Sequence, residues 1–241
     1  MRWEGWQPGG RALARLGARA RMIGCVGNDE PGRILLSALA DESVVIDHVR
    51  TVAEPTGTAF VLVESGGENQ IVVSSGANQR VDVEPASLCG VDAVMCQLEV
   101  PQEAVRNASR LTDAYFCLNA APAHQLSDEL IKRADLIIVN ETEHALIRGL
   151  ESCKLTAVTL GPQGAVLLRF GTEVARASSP KVDAVDTIAA GDAFCAAMVI
   201  GLVTGASEQD ALDNACVAGS MAASRPGSQT SLPDRSELEL W

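Results

Sequence analysis

Short runs rich in Val, Ile and Leu alternate with helix-period segments along most of this chain. A strand buried on both faces reads as an unbroken apolar run, and two parallel strands need a helical crossover between them. The runs Arg21 to Val26, Ala93 to Leu98, Tyr115 to Leu118, Leu136 to Val139 and Leu155 to Leu160 are therefore predicted strands. The intervening segments Pro101 to Asp113, with Val105, Ala108 and Leu111 at three-residue spacing, and His124 to Arg133 are predicted helices. The economical architecture is a doubly wound, mostly parallel α/β sheet flanked by helices. With 241 residues and 47% hydrophobic content, residues 1–241 read as a single domain with one good-sized core.

One segment departs from this rhythm. Thr58 to Glu64 and Gln70 to Ser74 are separated by Ser65-Gly66-Gly67-Glu68-Asn69, too short for a crossover helix, so residues 56–75 are predicted to form an antiparallel hairpin. The last third returns to helices, Ala190 to Thr204 and Ser207 to about Ser224, with Ser207 and Asp210 placed as a capping box. A turn-rich stretch, Arg225 to Pro233, precedes a short acidic helix.

Composition excludes several function classes. The net charge is -12 and the basic residues are scattered, which argues against a nucleic-acid partner or an anionic membrane surface. Seven cysteines lie mostly in apolar runs without a C-x-x-C pair, as expected of reduced, buried thiols in a cytoplasmic protein. Met1 to Trp6 has no signal-like apolar region, and Ala193 to Val203 is about half of the roughly 20 residues that cross a bilayer. His48, His124 and His144 have no metal-ligand spacing.

The chemistry concentrates in Asp186-Thr187-Ile188-Ala189-Ala190-Gly191-Asp192, which opens into an apolar helix. Asp192 reads either as a carboxylate interacting with the helix dipole or as a base, and Ala189, Ala190 and Gly191 are small enough for a ligand to approach the backbone. None of the three lysines follows a glycine, which excludes a P-loop, and no G-x-G-x-x-G follows a strand. Val139-Asn140-Glu141-Thr142-Glu143 reads as a strand end and a capped helix start, and Thr159-Leu160-Gly161-Pro162-Gln163-Gly164 as a turn. Both sit at carboxyl ends of predicted parallel strands, where open α/β sheets bind ligands.

These segments, with Ala14-Arg15-Leu16-Gly17-Ala18, Ile23 to Asp29, Pro55-Thr56-Gly57, Gly67-Glu68-Asn69, Gly76-Ala77-Asn78, Gln97-Leu98-Glu99 and Gly227-Ser228-Gln229, occur in an order that resembles the ribokinase/PfkB family of carbohydrate kinases. The resemblance implies a ribokinase-like fold with a small β lid, of which the hairpin would be a remnant. It implies ATP-dependent phosphorylation of a sugar primary hydroxyl, with ribose the expected substrate and a homodimer the expected assembly. Asp192 would be the general base and contact the substrate with Glu99. Asn140, Glu143, Thr159, Gly161, Gly164, Ala190, Gly191, Asn214 and Cys216 would serve the nucleotide, with Glu143 holding Mg2+ through water. A monovalent cation, K+, would be held by Asp186 and Ser231 and by main-chain oxygens of Ile188, Ala222, Arg225 and Gly227.

The chain also departs from the family pattern. The resemblance implies a preceding strand, further lid strands and a G-G-K-G-x-N loop, where this sequence has Trp3-Glu4-Gly5-Trp6-Gln7-Pro8, as in an N-terminally truncated member. Loss of that strand is expected to uncover one side of its neighbour. Eleven residues between Glu143 and Leu155 are a tight fit for a helix and its loops. Ala189 stands where the family has Gly, at an expected cost of about 1 kcal/mol if positive φ is required. A kinase for another small sugar or nucleoside, and a catalytically impaired remnant that binds nucleotide or a protein partner, are the alternative readings.

Overall fold

The computed structural model describes residues 7–63, 69–238 and 240. In chain order its elements begin α1 (Gln7–Arg15), β1 (Arg21–Gly27), α2 (Glu30–Asp41), β2 (Val45–Val52), β3 (Thr58–Val63), β4 (Asn69–Ser74) and β5 (Ala93–Gln97). They continue α3 (Gln102–Leu111), β6 (Tyr115–Asn119), α4 (Asp128–Arg133), β7 (Leu136–Asn140), α5 (Glu141–Leu146) and β8 (Thr156–Thr159). The chain ends β9 (Ala165–Arg169), β10 (Thr172–Ala177), α6 (Ala190–Val203), α7 (Glu208–Ala223) and α8 (Arg235–Leu238).

The central sheet has the order β10-β9-β8-β7-β6-β5. Its strands β5 to β8 run parallel, and β9 and β10 extend it as an antiparallel edge. β1 and β2 pair parallel in a separate two-stranded sheet, and β3 pairs with β4 antiparallel, Thr58 opposite Ser74. The Gly-rich link assigned to Ser65 to Asn69 lies outside the described residues except for Asn69, as does Met1 to Trp6.

Period-two patterning places apolar side chains on both faces of the central strands. In β7, Leu136 and Ile138 join the core formed with Phe194, Met198 and Leu212 of α6 and α7. Ile137 and Val139 join the opposite core with Leu130, Ile131 and Phe116. A strand with two such faces belongs inside a parallel sheet. Small residues let α6 and α7 meet closely: a Cβ on Gly201 would lie 3.0 Å from the Ala211 Cβ, and one on Gly219 would lie 3.2 Å from the Ala190 oxygen. No helix among the described residues is long and apolar enough to cross a membrane.

Several boundaries differ from the sequence expectation. The helix predicted from His124 begins at Asp128, because the Ser127 hydroxyl accepts the Leu130 N–H at 3.3 Å and fixes the start there. Ser207 caps α7 by accepting the Asp210 N–H at 3.1 Å, and its hydroxyl donates to the Asp210 carboxylate at 2.6 Å instead of forming a reciprocal box. The eleven residues after Glu143 suffice because α5 is short and a single 3-10 turn, Leu150–Ser152, completes the link. β2, β9, β10 and α2 were not expected from the sequence. All seven cysteines are free; Cys89 is exposed, and burial holds the Cys96 thiol up at about 12.

An ion cluster ties α1 to the end of α2 and to the C-terminal loop. Glu42 accepts from Arg11 Nη2 at 2.6 Å and from Arg15 Nε and Nη2 at 3.0 and 2.6 Å. Arg11 Nη1 also donates to Gln229, and Arg15 Nη1 donates to the Leu232 carbonyl at 2.9 Å. Hydrogen bonds from Arg15, and after them those from Arg11, hold the Glu42 carboxyl at about 2 against the opposing cost of burial. A depressed carboxyl stabilises the fold above its ordinary pKa and loses that contribution as pH falls toward 2. Urea unfolding between pH 5 and pH 2 is expected to cost the wild type on the order of 2–3 kcal/mol more than Glu42→Gln; equal losses would remove the cluster from the account.

Candidate active site

The carboxyl ends of β5, β6, β7 and β8 point the same way, and Asn140 and Thr159 stand side by side at two of them. Asn140 ends β7 and caps α5: its Oδ1 accepts the Glu143 N–H at 2.8 Å, while Glu143 Oε2 accepts the Asn140 N–H at 2.8 Å. This reciprocal box turns Glu143 inward to 9% exposure. Burial raises its carboxyl above the ordinary range, and the Asn140 N–H opposes that shift. Asn140 is exposed and lies opposite Thr159 of β8, whose hydroxyl donates to the Val139 carbonyl at 3.4 Å.

Gly161 and Gly164 bound the next turn, both at positive φ. At Gly164 a Cβ would lie 2.0 Å from the Ala177 oxygen, so only glycine fits. The Ser179 hydroxyl donates to the Gly161 carbonyl at 3.3 Å and also bonds the Cys216 thiol, which brings the buried Cys216 of α7 to this turn. Burial raises that thiol to about 11. Ser179 was not identified from the sequence, since the Ser178-Ser179 pair between a strand and Pro180 carries no motif. Asn214, two residues before Cys216, is exposed and points away from it, as positions two apart on a helix must.

The Asp186 to Asp192 turn is fastened at its first residue. Asp186 Oδ1 accepts the Ile188 N–H at 3.2 Å and Oδ2 accepts the Gly227 N–H at 3.1 Å. The N–H groups of Val185 and Asp186 both donate to the Ala223 carbonyl at the end of α7. Ala190 begins α6, and its N–H donates to the Thr187 carbonyl at 3.2 Å. Gly191 is exposed, with nothing within 4 Å of where a Cβ would stand, so the helix start faces open space there. The first N–H groups of a helix have no intrahelical acceptor, and its dipole favours an anion at that end. Asp192 stands half-buried in the same first turn.

Ala189 overturns one expectation. It adopts φ -88° and ψ 0°, so the position lies at negative φ and does not require glycine, and the cost expected for positive φ does not arise.

Beside the turn, Ser231 is fully buried and its Oγ has no hydrogen-bond partner. The Gly227 carbonyl accepts the Ser231 N–H at 3.2 Å, and the Ala222 carbonyl accepts the Arg225 N–H at 3.3 Å. A buried hydroxyl without a partner, one carboxylate and several carbonyls are hard oxygen donors of low total charge, which fits a monovalent cation. No group of three or more His, Cys, Asp or Glu suited to a metal occurs among the described residues. Glu99 is half-buried on the wall of a cavity between β1 and β5.

An open helix start with a carboxylate in its first turn, and further loops at the ends of parallel strands, match what a phosphotransferase of the α/β class requires. The model of the pfkB family carbohydrate kinases matches residues 10–235. The chain is 33% identical to a ribokinase of Haemophilus influenzae over 94% of its own length and 82% of that protein's. It is 34% identical to a ribokinase of Bacillus subtilis, covering 96% and 86% of the two chains. Among solved structures, Arabidopsis thaliana ribokinase complexed with ribose and ATP superposes with a TM-score of 0.88 at 27% identity, covering 97% of this chain and 85% of that one. The chain belongs to the pfkB family of carbohydrate kinases and is an ATP-dependent sugar kinase.

The conformation of Ala189 yields a test of the turn. Ala189→Gly is expected to lower stability by about 0.5–1 kcal/mol, because it frees the unfolded chain and relieves nothing in the folded one. A stabilised variant in a urea melt would show that the alanine is strained.

Proposed function

We propose that the enzyme phosphorylates the primary hydroxyl of ribose, forming ribose 5-phosphate and ADP, with Asp192 as the general base. The observation that carries this reading is the open helix start with Asp192 in its first turn, fixed by Asp186. Asp192 takes the proton as the sugar oxygen attacks the γ-phosphorus and the bond to ADP breaks. The Gly191 and Asp192 amides stabilise charge on the transferring group. Glu99 accepts from a sugar hydroxyl. Asn140, Thr159, Gly161, Gly164, Ala190 and Cys216 line the nucleotide side, and exposed Asn214 lies at its rim.

Mg2+ supplies charge neutralisation between the phosphates, and Glu143 would hold its waters. That role draws on the Glu143 oxygen not used by the capping box. K+ would sit beside the turn with Asp186, the Ser231 hydroxyl and the main-chain oxygens of Ile188, Ala222, Arg225 and Gly227, where the unpartnered Ser231 Oγ favours it. Seven free thiols suit a cytoplasmic location. A homodimer through the β3–β4 sheet would cover Val73, which is more than half exposed.

A coupled assay of ADP release with Mg-ATP, K+ and a sugar panel tests the reading. Asp192→Asn is expected to lower ribose-dependent turnover by about 10²–10⁴-fold while ATP still binds. Undiminished turnover would remove Asp192 from the base role, and preference for another sugar would replace ribose.

A further inference from the structure

α7 packs on one face of β9 and β10, where Ala165, Leu167, Ala175 and Ala177 join the core that it shares with α6. The alternate residues Leu168 and Val174 lie on the opposite face, and Val174 is exposed there. On that side the link from β7 to β8 consists of short α5 and the 3-10 turn Leu150–Ser152, and a cavity of about 440 Å³ lies open beside it. Thr156 and Leu168, opposite one another on β8 and β9, line this cavity with Ile147 and Leu150. Exposed Arg148 and Glu151 complete its rim.

A knob stands beside this hole. The β9–β10 turn places Phe170 at φ 47°, a region where a bulky residue is strained, and leaves it 61% exposed. Gly171, the next residue, lines the cavity, and a Cβ on it would lie 3.0 Å from the Glu151 Cβ, so the turn rests against the rim. Leu146, which precedes Ile147 of the lining, is 56% exposed and adds apolar surface at the edge. Neither Arg148 nor Glu151 joins an ion pair among the described residues.

We propose that this face pairs with the same face of a second copy about a two-fold axis, Phe170 of each chain entering the cavity of the other. A knob and its hole on one surface are what an isologous contact needs, because the rotation that seats one knob also seats its mate. The charges fit the same operation, since Arg148 can meet the partner's Glu151 and Glu151 the partner's Arg148. The cavity volume lies in the range of about 300–1,000 Å³ that holds a small-molecule-sized group, which is ample for one aromatic ring. A charge of -12 on each copy opposes pairing, but at about 0.15 M salt that repulsion is screened beyond about 8 Å, and the contacts at the face decide. The surface is distinct from the β3–β4 sheet, so the pairing is independent of any association through the hairpin and of which sugar the enzyme takes.

Sedimentation velocity of the purified chain across about 1–100 μM protein at physiological salt tests this. The wild type is expected to associate, and Phe170→Asn to weaken one two-fold step at least about ten-fold. The melting temperature of dilute Phe170→Asn should stay level or rise, because Asn tolerates positive φ better than Phe does, so the loss is one of contact and not of fold. Arg148→Glu and Glu151→Arg should each weaken the same step, the two changes together should restore it, and Val73→Lys on the hairpin should leave it intact. A wild type that stays monomeric over the whole range overturns the proposal, as does an assembly that Phe170→Asn leaves unchanged. Failure of the paired charge exchange to restore association also overturns it, and so does a step lost in Val73→Lys but kept in Phe170→Asn.

Discussion

The carboxylate of Asp186 is the constraint on which the rest of the site depends. Its two oxygens accept N–H groups from chain segments 39 residues apart, Ile188 two residues on and Gly227 beyond α7. Hydrogen bonds to an ionised acceptor are about twice as strong as neutral ones, and two of them from one side chain fix direction as well as distance. The approach to α6 and the loop that follows α7 are thereby held as one unit. Asp192, Gly191 and the buried Ser231 all inherit their positions from it.

Packing delivers the two helices to that junction. Gly219 allows α7 to run within contact of Ala190, so the start of α6 and the end of α7 stay adjacent. The parallel strands bring Asn140 and Thr159 side by side at their carboxyl ends. The capping box at Asn140 commits Glu143 to the interior, where it is at once part of the helix start and a buried acid whose carboxyl is raised by that burial. One interaction thus serves stability and position together.

Where a segment had one strong physical signal, the sequence was legible. β6 and β7 are apolar on both faces, and Asn140 to Glu143 carries a helix cap in its residue types, so both were identified correctly. β2 was missed because Asp47, His48 and Arg50 interrupt its apolar residues, a pattern set by exposure of that sheet. The β9–β10 hairpin was missed because its turn, Phe170-Gly171, puts a bulky residue at φ 47° where Asn or Asp is usual. The strain attributed to Ala189 disappeared because φ cannot be read from residue type. Ser179, and the link from Arg11 to Gln229, depend on contacts between residues far apart in sequence and have no local signature. That β1 and β5 are each paired on one side alone among the described residues is a fact of the three-dimensional arrangement.

The most direct measurement of the central claim is steady-state turnover of Asp186→Ala with Asp192 intact, alongside its melting curve. The account predicts a fall in kcat of at least about ten-fold with a cooperative transition retained, because a 1 Å displacement of the reacting groups is enough to cost on the order of 10²-fold. Wild-type kcat in that variant would contradict it, since the turn would then hold its shape without the carboxylate.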